Sequence, residues 1–283
     1  MATAPRHRPE IHPVPTTHCV AGGEGWRVND VVCTLGPRDR AFEEQHDDMT
    51  IAIVRQGSFL YRSEYGRSVL YPGSVLLGNA GACFECGHDH GTGDRCLSFH
   101  FSRPLFEEIA DAVAGAGRFR FPVAMLPAVR RLAGLVIRVE ARHPGESPLR
   151  MEELSIELAE GVLAALGGHV PVTADPPARD RQRISDALRH MEESADLPLG
   201  LGALAQVARM SRYHFLRSFR RTLGVTPYQL LLNLRLRRAA MALKTSAAPV
   251  AAVAFASGFG DLSTFNARFR DVIGMTPKAF RRT

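Results

Sequence analysis

The densest chemistry in the chain lies at Cys83–His100, CFECGHDHGTGDRCLSFH, with three cysteines and three histidines in eighteen residues. Thiolate sulfur and imidazole nitrogen are the donors that zinc takes in tetrahedral sites. Cys83 and Cys86, followed by Gly87, have the spacing of half a zinc knuckle, and His88, His90 and Cys96 complete a candidate ligand set. On a straight strand Cys83 and Cys86 face opposite ways, so this set requires a turn. Gly81, Gly87, Gly91 and Gly93 permit one. Downstream, Cys96, Ser98 and His100 alternate with Leu97, Phe99 and Phe101, as on a strand with one polar and one apolar face. Three chemistries fit the stretch. One is a structural or sensory zinc site. The second is a thiol switch, in which Cys83, Cys86 or Cys96 is modified by an oxidant or electrophile. The third is an organic-ligand pocket lined by small buried cysteines. His46 is a further candidate from a neighbouring strand, although a lone histidine is more often polar surface. Cys19 and Cys33 have no partner visible in the sequence and are read as ordinary residues.

A second chemistry lies in a repeat. Ser211–Pro227, SRYHFLRSFRRTLGVTP, and Asp261–Pro277, DLSTFNARFRDVIGMTP, are fifty residues apart and identical at six of seventeen positions. Such self-similarity marks one supersecondary unit used twice. Each copy opens on a helix-capping residue, Ser211 or Asp261. Each carries phenylalanines four apart on one helical stripe, Phe215 and Phe219 or Phe265 and Phe269. Gly224 or Gly274 ends the helix, and Thr-Pro starts the next. A short Ala-rich helical run, Leu201–Ala208 or Val250–Ser257, precedes each copy. Short helix, tight turn and longer capped helix is the helix-turn-helix plan. Charge agrees: residues 179–283 carry a net +11 and residues 1–178 a net −5, against +6 for the chain. A basic segment beside an acidic one is the electrostatic footprint of a nucleic-acid-binding domain.

These features resemble the DNA-binding domain of the AraC/XylS family of transcription regulators over about residues 182–283. The resemblance is carried by Gly258-Phe259, Asp261, Ser263, Phe265, Arg268-Phe269, Gly274, Thr276-Pro277 and Phe280-Arg281. It implies two helix-turn-helix units joined by one long helix, Pro227–Lys244, with recognition helices in successive major grooves of double-stranded DNA. In the first recognition helix it places Arg212, Tyr213, Leu216 and Arg217 toward the groove, with Arg217 able to bond guanine O6 and N7 together. In the second the matching set is Leu262, Ser263, Asn266 and Ala267. Arg220, Arg221, Arg270 and Lys278 fall where phosphate contacts are expected. The resemblance also implies a cupin-like sensor barrel ahead of this domain, a small-molecule or metal effector, a homodimer made through a helical pair, and RNA polymerase as a further partner.

The elements that must position these residues follow along the chain. Its 283 residues suggest two domains of α+β class. Residues 1–25 are Pro- and His-rich and read as a mobile segment, with His7, His12 and His18 as weak metal candidates. No hydrophobic leader and no apolar run of membrane-spanning length occur, so a cytoplasmic protein with reduced cysteines and no membrane partner is expected. Residues 26–170 read as the cupin-like β-barrel followed by helices. Short strands are expected at Thr50–Val54, Phe59–Tyr65, Val69–Tyr71 and Val75–Leu77. Helices are expected over Leu126–Val139 and Pro148–Leu166, serving either dimerisation or packing on the barrel. Residues 171–180 read as a linker, and residues 181–283 as the all-α DNA-binding domain. The function expected is a sequence-specific regulator that is not an enzyme. Two alternatives come from other classes: a DNA-repair methyl-acceptor protein using a zinc-bound Cys83 or Cys86, and a metal-dependent cupin enzyme using His88, His90 and Glu85 or Asp89.

Overall fold

The computed structural model describes residues 15–88, 93–115, 118–141, 147–167 and 177–283. The N-terminal half is β-rich. Strands β1 (Thr16–Gly23), β2 (Trp26–Cys33), β3 (Phe42–Gln45), β4 (Met49–Gly57), β5 (Phe59–Ser63), β6 (Gly66–Leu70), β7 (Val75–Gly78), β8 (Cys83–Gly87), β9 (Asp94–Phe101) and β10 (Met125–Leu126) form two sheets. One runs β1-β2-β9-β4-β7-β10 and the other β3-β8-β5-β6. The sheets face each other: Ala52, Val54, Leu76 and Cys96 of the first share an apolar cluster with Phe59, Tyr61, Leu70 and Cys86 of the second.

Alternation gives the larger sheet two different faces. Trp26, Val28, Ile51, Ile53, Leu97, Phe99 and Phe101 point outward, under a layer of helices α1 (Arg103–Ala114), α2 (Arg130–Glu140) and α3 (Pro148–Leu166). Cys33, Thr50, Cys96, Ser98 and His100 point inward, at the smaller sheet. The helical pair packs on its own sheet, with Leu132, Val136 and Val139 of α2 and Met151, Leu154, Leu158 and Val162 of α3 in one core with Phe99.

The C-terminal half is helical: α4 (Ala178–Glu193), α5 (Leu201–Val207), α6 (Arg212–Leu223), α7 (Pro227–Thr245), α8 (Val250–Ala256), α9 (Leu262–Ile273) and α10 (Pro277–Arg282). The repeated capping signals act as their chemistry requires. Ser211 accepts from the His214 N–H and Asp261 from the Thr264 N–H, while Gly224 and Gly274 end their helices at φ +72° and +88°. Thr226 forms a capping box with Gln229, and Thr276 caps α10. The long α7 serves two cores. Leu230, Leu231 and Leu234 pack with α4–α6, and Leu236, Ala239, Ala240 and Leu243 with α8–α10.

Neither core is closed by the C-terminal half alone. Val69, Tyr71 and Ala128 join the first, and Ile137 of α2 and Ala141, which caps it, join the second. The Tyr71 hydroxyl donates to the Leu223 carbonyl at 2.8 Å, and the Asn233 amide to the Ala128 carbonyl at 2.7 Å. Gly134 of α2 lies so close to α9 that a Cβ there would collide with the Val272 carbonyl oxygen.

Three expectations change. Thr16–Gly23 is a strand paired with β2, not part of a mobile segment, because its backbone groups complete the edge of the larger sheet. His18 sits exposed on it, while His7 and His12 lie outside the described residues. Met125 and Leu126 pair with β7, and the helix starts only at Arg130, since Pro127 disfavours helical geometry in the residue before it. Of the expected linker, residues 171–176 lie outside the described residues and Ala178 already belongs to α4. Among the described residues no helix is long and apolar enough to cross a membrane.

Candidate functional site

Between the two sheets lies a cavity of about 280 Å³. Its two ends differ because inward residues of β2 and β9 pair in antiparallel register: Arg27 with His100, Asn29 with Ser98, Val31 with Cys96, and Cys33 with Asp94. One end is therefore polar and the other rich in thiols. Phe42, Phe59 and Phe84 line the space between.

At the polar end His100 lies 3.0 Å from the Ser98 hydroxyl and 3.4 Å from that of Thr50, and His46 is 2.8 Å from the Tyr61 hydroxyl. His46 is buried, which corrects its reading as polar surface. Burial holds both imidazoles neutral. His46 falls to about 4 through desolvation and then the nearby His100, and His100 to about 4 through desolvation and then Arg27. Their folded pKa lies below the unfolded value near 6.5, so between those values the unfolded chain binds more protons. Their contribution is present above pH 6.5 and is lost as pH falls toward 4. Buried His88 behaves oppositely. Desolvation opposes its charge, but Asp94 and Cys33 outweigh it and raise the pKa to about 9. Its contribution is present below pH 6.5 and lost as pH rises through 9, so it offsets part of the acid loss. We expect a net loss of about 2–3 kcal/mol between pH 7 and 5. Urea midpoints at the two pH values measure it, and equal midpoints would mean that His46 and His100 titrate normally.

The thiol end departs from the zinc set read in the sequence. β8 is a regular strand, so Cys83 is exposed on one face while Cys86 is buried on the other. The half-knuckle does not form, because strand pairing of Cys86 with both Phe42 and Tyr61 leaves no turn between the two cysteines. His90 lies outside the described residues. His88 and Cys96 do point inward, but the residues beside them are Cys33 and Asp94. The His88 Nε2–H donates to Asp94 Oδ2 at 2.6 Å, His88 Nδ1 lies 4.0 Å from Cys33 Sγ, and Cys96 Sγ donates to Asp94 Oδ1 at 3.3 Å. Burial and the Asp94 carboxylate push the Cys86 and Cys96 thiols up. Glu85, a candidate acid for a cupin enzyme, points away and pairs with Arg62 at 3.1 Å; Asp89 lies outside the described residues. The strand spacing Cys96-x-Ser98-x-His100 was legible. Cys33 and Asp94 were not, because strand register rather than sequence proximity joins them.

On the C-terminal half, α6 and α9 present matching faces. Phe215, Phe219, Phe265 and Phe269 are fully buried. Arg212, Tyr213, Leu216, Arg217, Arg220 and Arg221 are exposed on α6, as are Leu262, Ser263, Asn266, Ala267 and Arg270 on α9 and Lys278 on α10. Tyr213 is 75% exposed, an unusual cost for an aromatic side chain. Ser211 and Asp261 start these helices at equivalent points, so the two faces arise from one geometry used twice.

Residues 204–283 match the family model described as a helix-turn-helix domain. The C-terminal domain is a helix-turn-helix domain. Over 221 residues the chain is 25% identical to the "Uncharacterized HTH-type transcriptional regulator YbfI" of Bacillus subtilis, covering 77% of this chain and 78% of that protein. It is 31% identical over 152 residues to the "MmsAB operon regulatory protein" of Pseudomonas aeruginosa, covering 53% of this chain and 47% of the relative, so it spans about half that protein's length. A solved AraC-type transcriptional regulator from Chromobacterium violaceum is 27% identical, with a TM-score of 0.35, covering 38% of this chain and 95% of that one. Both sequence relatives are named as regulators. The matched helix-turn-helix region includes both phenylalanine-backed faces and the α7 helix between them.

Proposed function

We propose that this chain is a sequence-specific transcription regulator. Its AraC-type domain binds double-stranded DNA through two helix-turn-helix units, α5–α6 and α8–α9. Its N-terminal domain acts as a cupin-like sensor whose cavity takes a metal, a thiol-reactive compound or a small organic effector. The observation that carries the reading is the repeat itself: two identically capped helices, each with a buried phenylalanine pair and an exposed polar face, on one rigid connecting helix. A domain that must reach two successive grooves about 34–36 Å apart needs two such faces. A homodimer and contact with RNA polymerase belong to the same reading.

The test is a DNA titration. Arg217→Ala is expected to weaken binding at the preferred site by about 1–3 kcal/mol and to relax the preference at one base. Arg220→Ala is expected to weaken all sequences alike and to flatten the salt dependence by about one charge. Selection from a random-duplex pool, repeated at several salt concentrations, separates the two effects. If Arg217→Ala leaves the selected sequence unchanged, α6 does not read bases through Arg217.

A further inference from the structure

The thiol end of the cavity holds a donor set that belongs neither to the sequence motif nor to the DNA-binding face. Cys33, His88 and Asp94 each offer one ligand atom within 4.8 Å of the others, and all three side chains are shielded from solvent. They come from three places: the end of β2, the residue after β8, and the start of β9. Two glycines allow this convergence. Gly93 has φ +85°, and a Cβ there would collide with the Cys33 carbonyl oxygen. Gly57 has φ +73°, and a Cβ there would collide with the Gly93 carbonyl oxygen. Cys96, two residues along β9 from Asp94, lies outside that group but faces the same way, with its Sγ 3.3 Å from Asp94 Oδ1.

We propose that Cys33, His88 and Asp94, with Cys96 as fourth ligand, form a zinc site, and that filling it alters how the β-domain holds the AraC-type domain. Sulfur, nitrogen and carboxylate oxygen together suit zinc, and four donors satisfy its tetrahedral preference. Zinc–ligand bonds of about 2.0–2.3 Å at tetrahedral angles place donors roughly 3.3–3.6 Å apart. Cys96 Sγ lies 3.3 Å from Asp94 Oδ1, close to such an edge, while Cys33 Sγ lies 4.0 Å from Nδ1 of His88, the ring nitrogen that does not face Asp94, so the thiol must move toward Nε2 to reach the ion. The 2.6 Å His88–Asp94 hydrogen bond is shorter than an edge. The cation takes the place of the proton between Nε2 and Oδ2, and the pair opens by roughly 0.7 Å to admit it.

That opening has a route to the other domain. Cys33 and Asp94 also line a crevice whose opposite wall is Ser185, Arg189, Glu192 and Glu193 of α4, which gives a metal a way in. Asp94 pairs in register with Gly57, whose N–H donates to Glu192 at 3.3 Å. Displacing Asp94 therefore bears directly on the contact between β4 and the first helix of the helical half. Zinc acts on DNA binding only if it binds the two arrangements unequally, and the site lies where they differ.

The consequence for DNA rests on the regulator reading, while the site itself does not, so the metal is measured first and without DNA. Metal-free, untagged protein is titrated with cobalt(II), whose visible bands report tetrahedral thiolate coordination, and then with zinc as competitor. About one metal per chain is expected. Cys33→Ser and Asp94→Asn are expected to weaken it more than about a hundredfold, beyond what loss of an orienting partner causes, and Cys83→Ser to leave it unchanged. Far-UV circular dichroism and a thermal melt check that each variant is folded. No cobalt spectrum in folded wild type, or its loss in Cys83→Ser but not in Cys33→Ser, overturns the site. DNA titration with and without zinc then follows. A change of about fivefold or more in wild type, absent in Asp94→Asn, supports the coupling. Equal affinities overturn the coupling alone. A folded, zinc-loaded protein that binds no duplex overturns the regulator reading and leaves the metal site standing.

Discussion

Arg237→Ala is expected to cost about 3–5 kcal/mol of folding stability, the range for breaking one side of a buried ion pair. Arg237 lies on α7 and its guanidinium reaches two other elements, α2 and β4. Nε donates to Glu140 Oε2 at 2.7 Å, Nη2 to Glu140 Oε1 at 2.5 Å, and Nη2 also to the Arg55 carbonyl at 3.0 Å. The side chains of Arg237 and Glu140 are only 12% and 5% exposed. Truncation leaves a carboxylate at the end of α2 and a strand carbonyl with no donor in a region shielded from water. That penalty, rather than the attraction of the pair, sets the size of the effect. Replacing both partners with apolar residues, Arg237→Met with Glu140→Leu, is accordingly expected to recover most of the loss. Urea midpoints of the three variants measure this. A single substitution that costs under about 1 kcal/mol would mean the pair is hydrated and behaves as a surface salt bridge. Because the guanidinium joins α7 to both α2 and β4, the same variant reports how firmly the two halves are held together.

The two halves of the chain were legible in the sequence to different degrees, and the reason is physical. The repeat announced itself because helix caps, glycine stops and a four-residue phenylalanine spacing are local instructions. Ser211, Gly224, Thr226 and their counterparts fifty residues on do what those residue types do anywhere. The β-domain depends on pairings between distant strands. Cys33 and Asp94 are separated by most of the sheet in sequence, yet they sit opposite each other in register. No spacing rule finds such a pair. The Cys83-x-x-Cys86 spacing looked like metal chemistry but lies on a regular strand, where three residues of separation send the side chains to opposite faces. The alternation Cys96, Ser98, His100 was the reliable signal, because a period of two survives whatever the strand pairs with. Its inward face was the cavity wall. Pro127 had a similar local meaning: it ends an extended segment and delays the helix to Arg130.

Phe269→Ala is expected to destabilise the C-terminal half by about 3–5 kcal/mol, and to reduce DNA binding by more than Arg270→Ala does. Phe269 is fully buried, with ring centroids 5.4 Å from both Phe265 and Phe280. It belongs to a core that α2 and its C-cap help to close through Ile137 and Ala141. Removing the ring leaves a cavity that this core cannot readily refill, because α9 is already held close to α2 at Gly134. Exposed Ser263, Asn266 and Arg270 then lose the platform that aims them, although none of them has changed. Asn266→Ala is the control. Its side chain is exposed, so stability is expected to stay within about 0.5 kcal/mol while the preference at one base relaxes. Thermal melts and duplex titrations of both variants, made where each is folded, separate support from contact. If folded Phe269→Ala binds its preferred duplex as tightly as wild type, α9 does not enter a groove, and binding rests on α6 alone. If Asn266→Ala destabilises as much as Phe269→Ala, the face assigned to DNA on α9 is a packing surface.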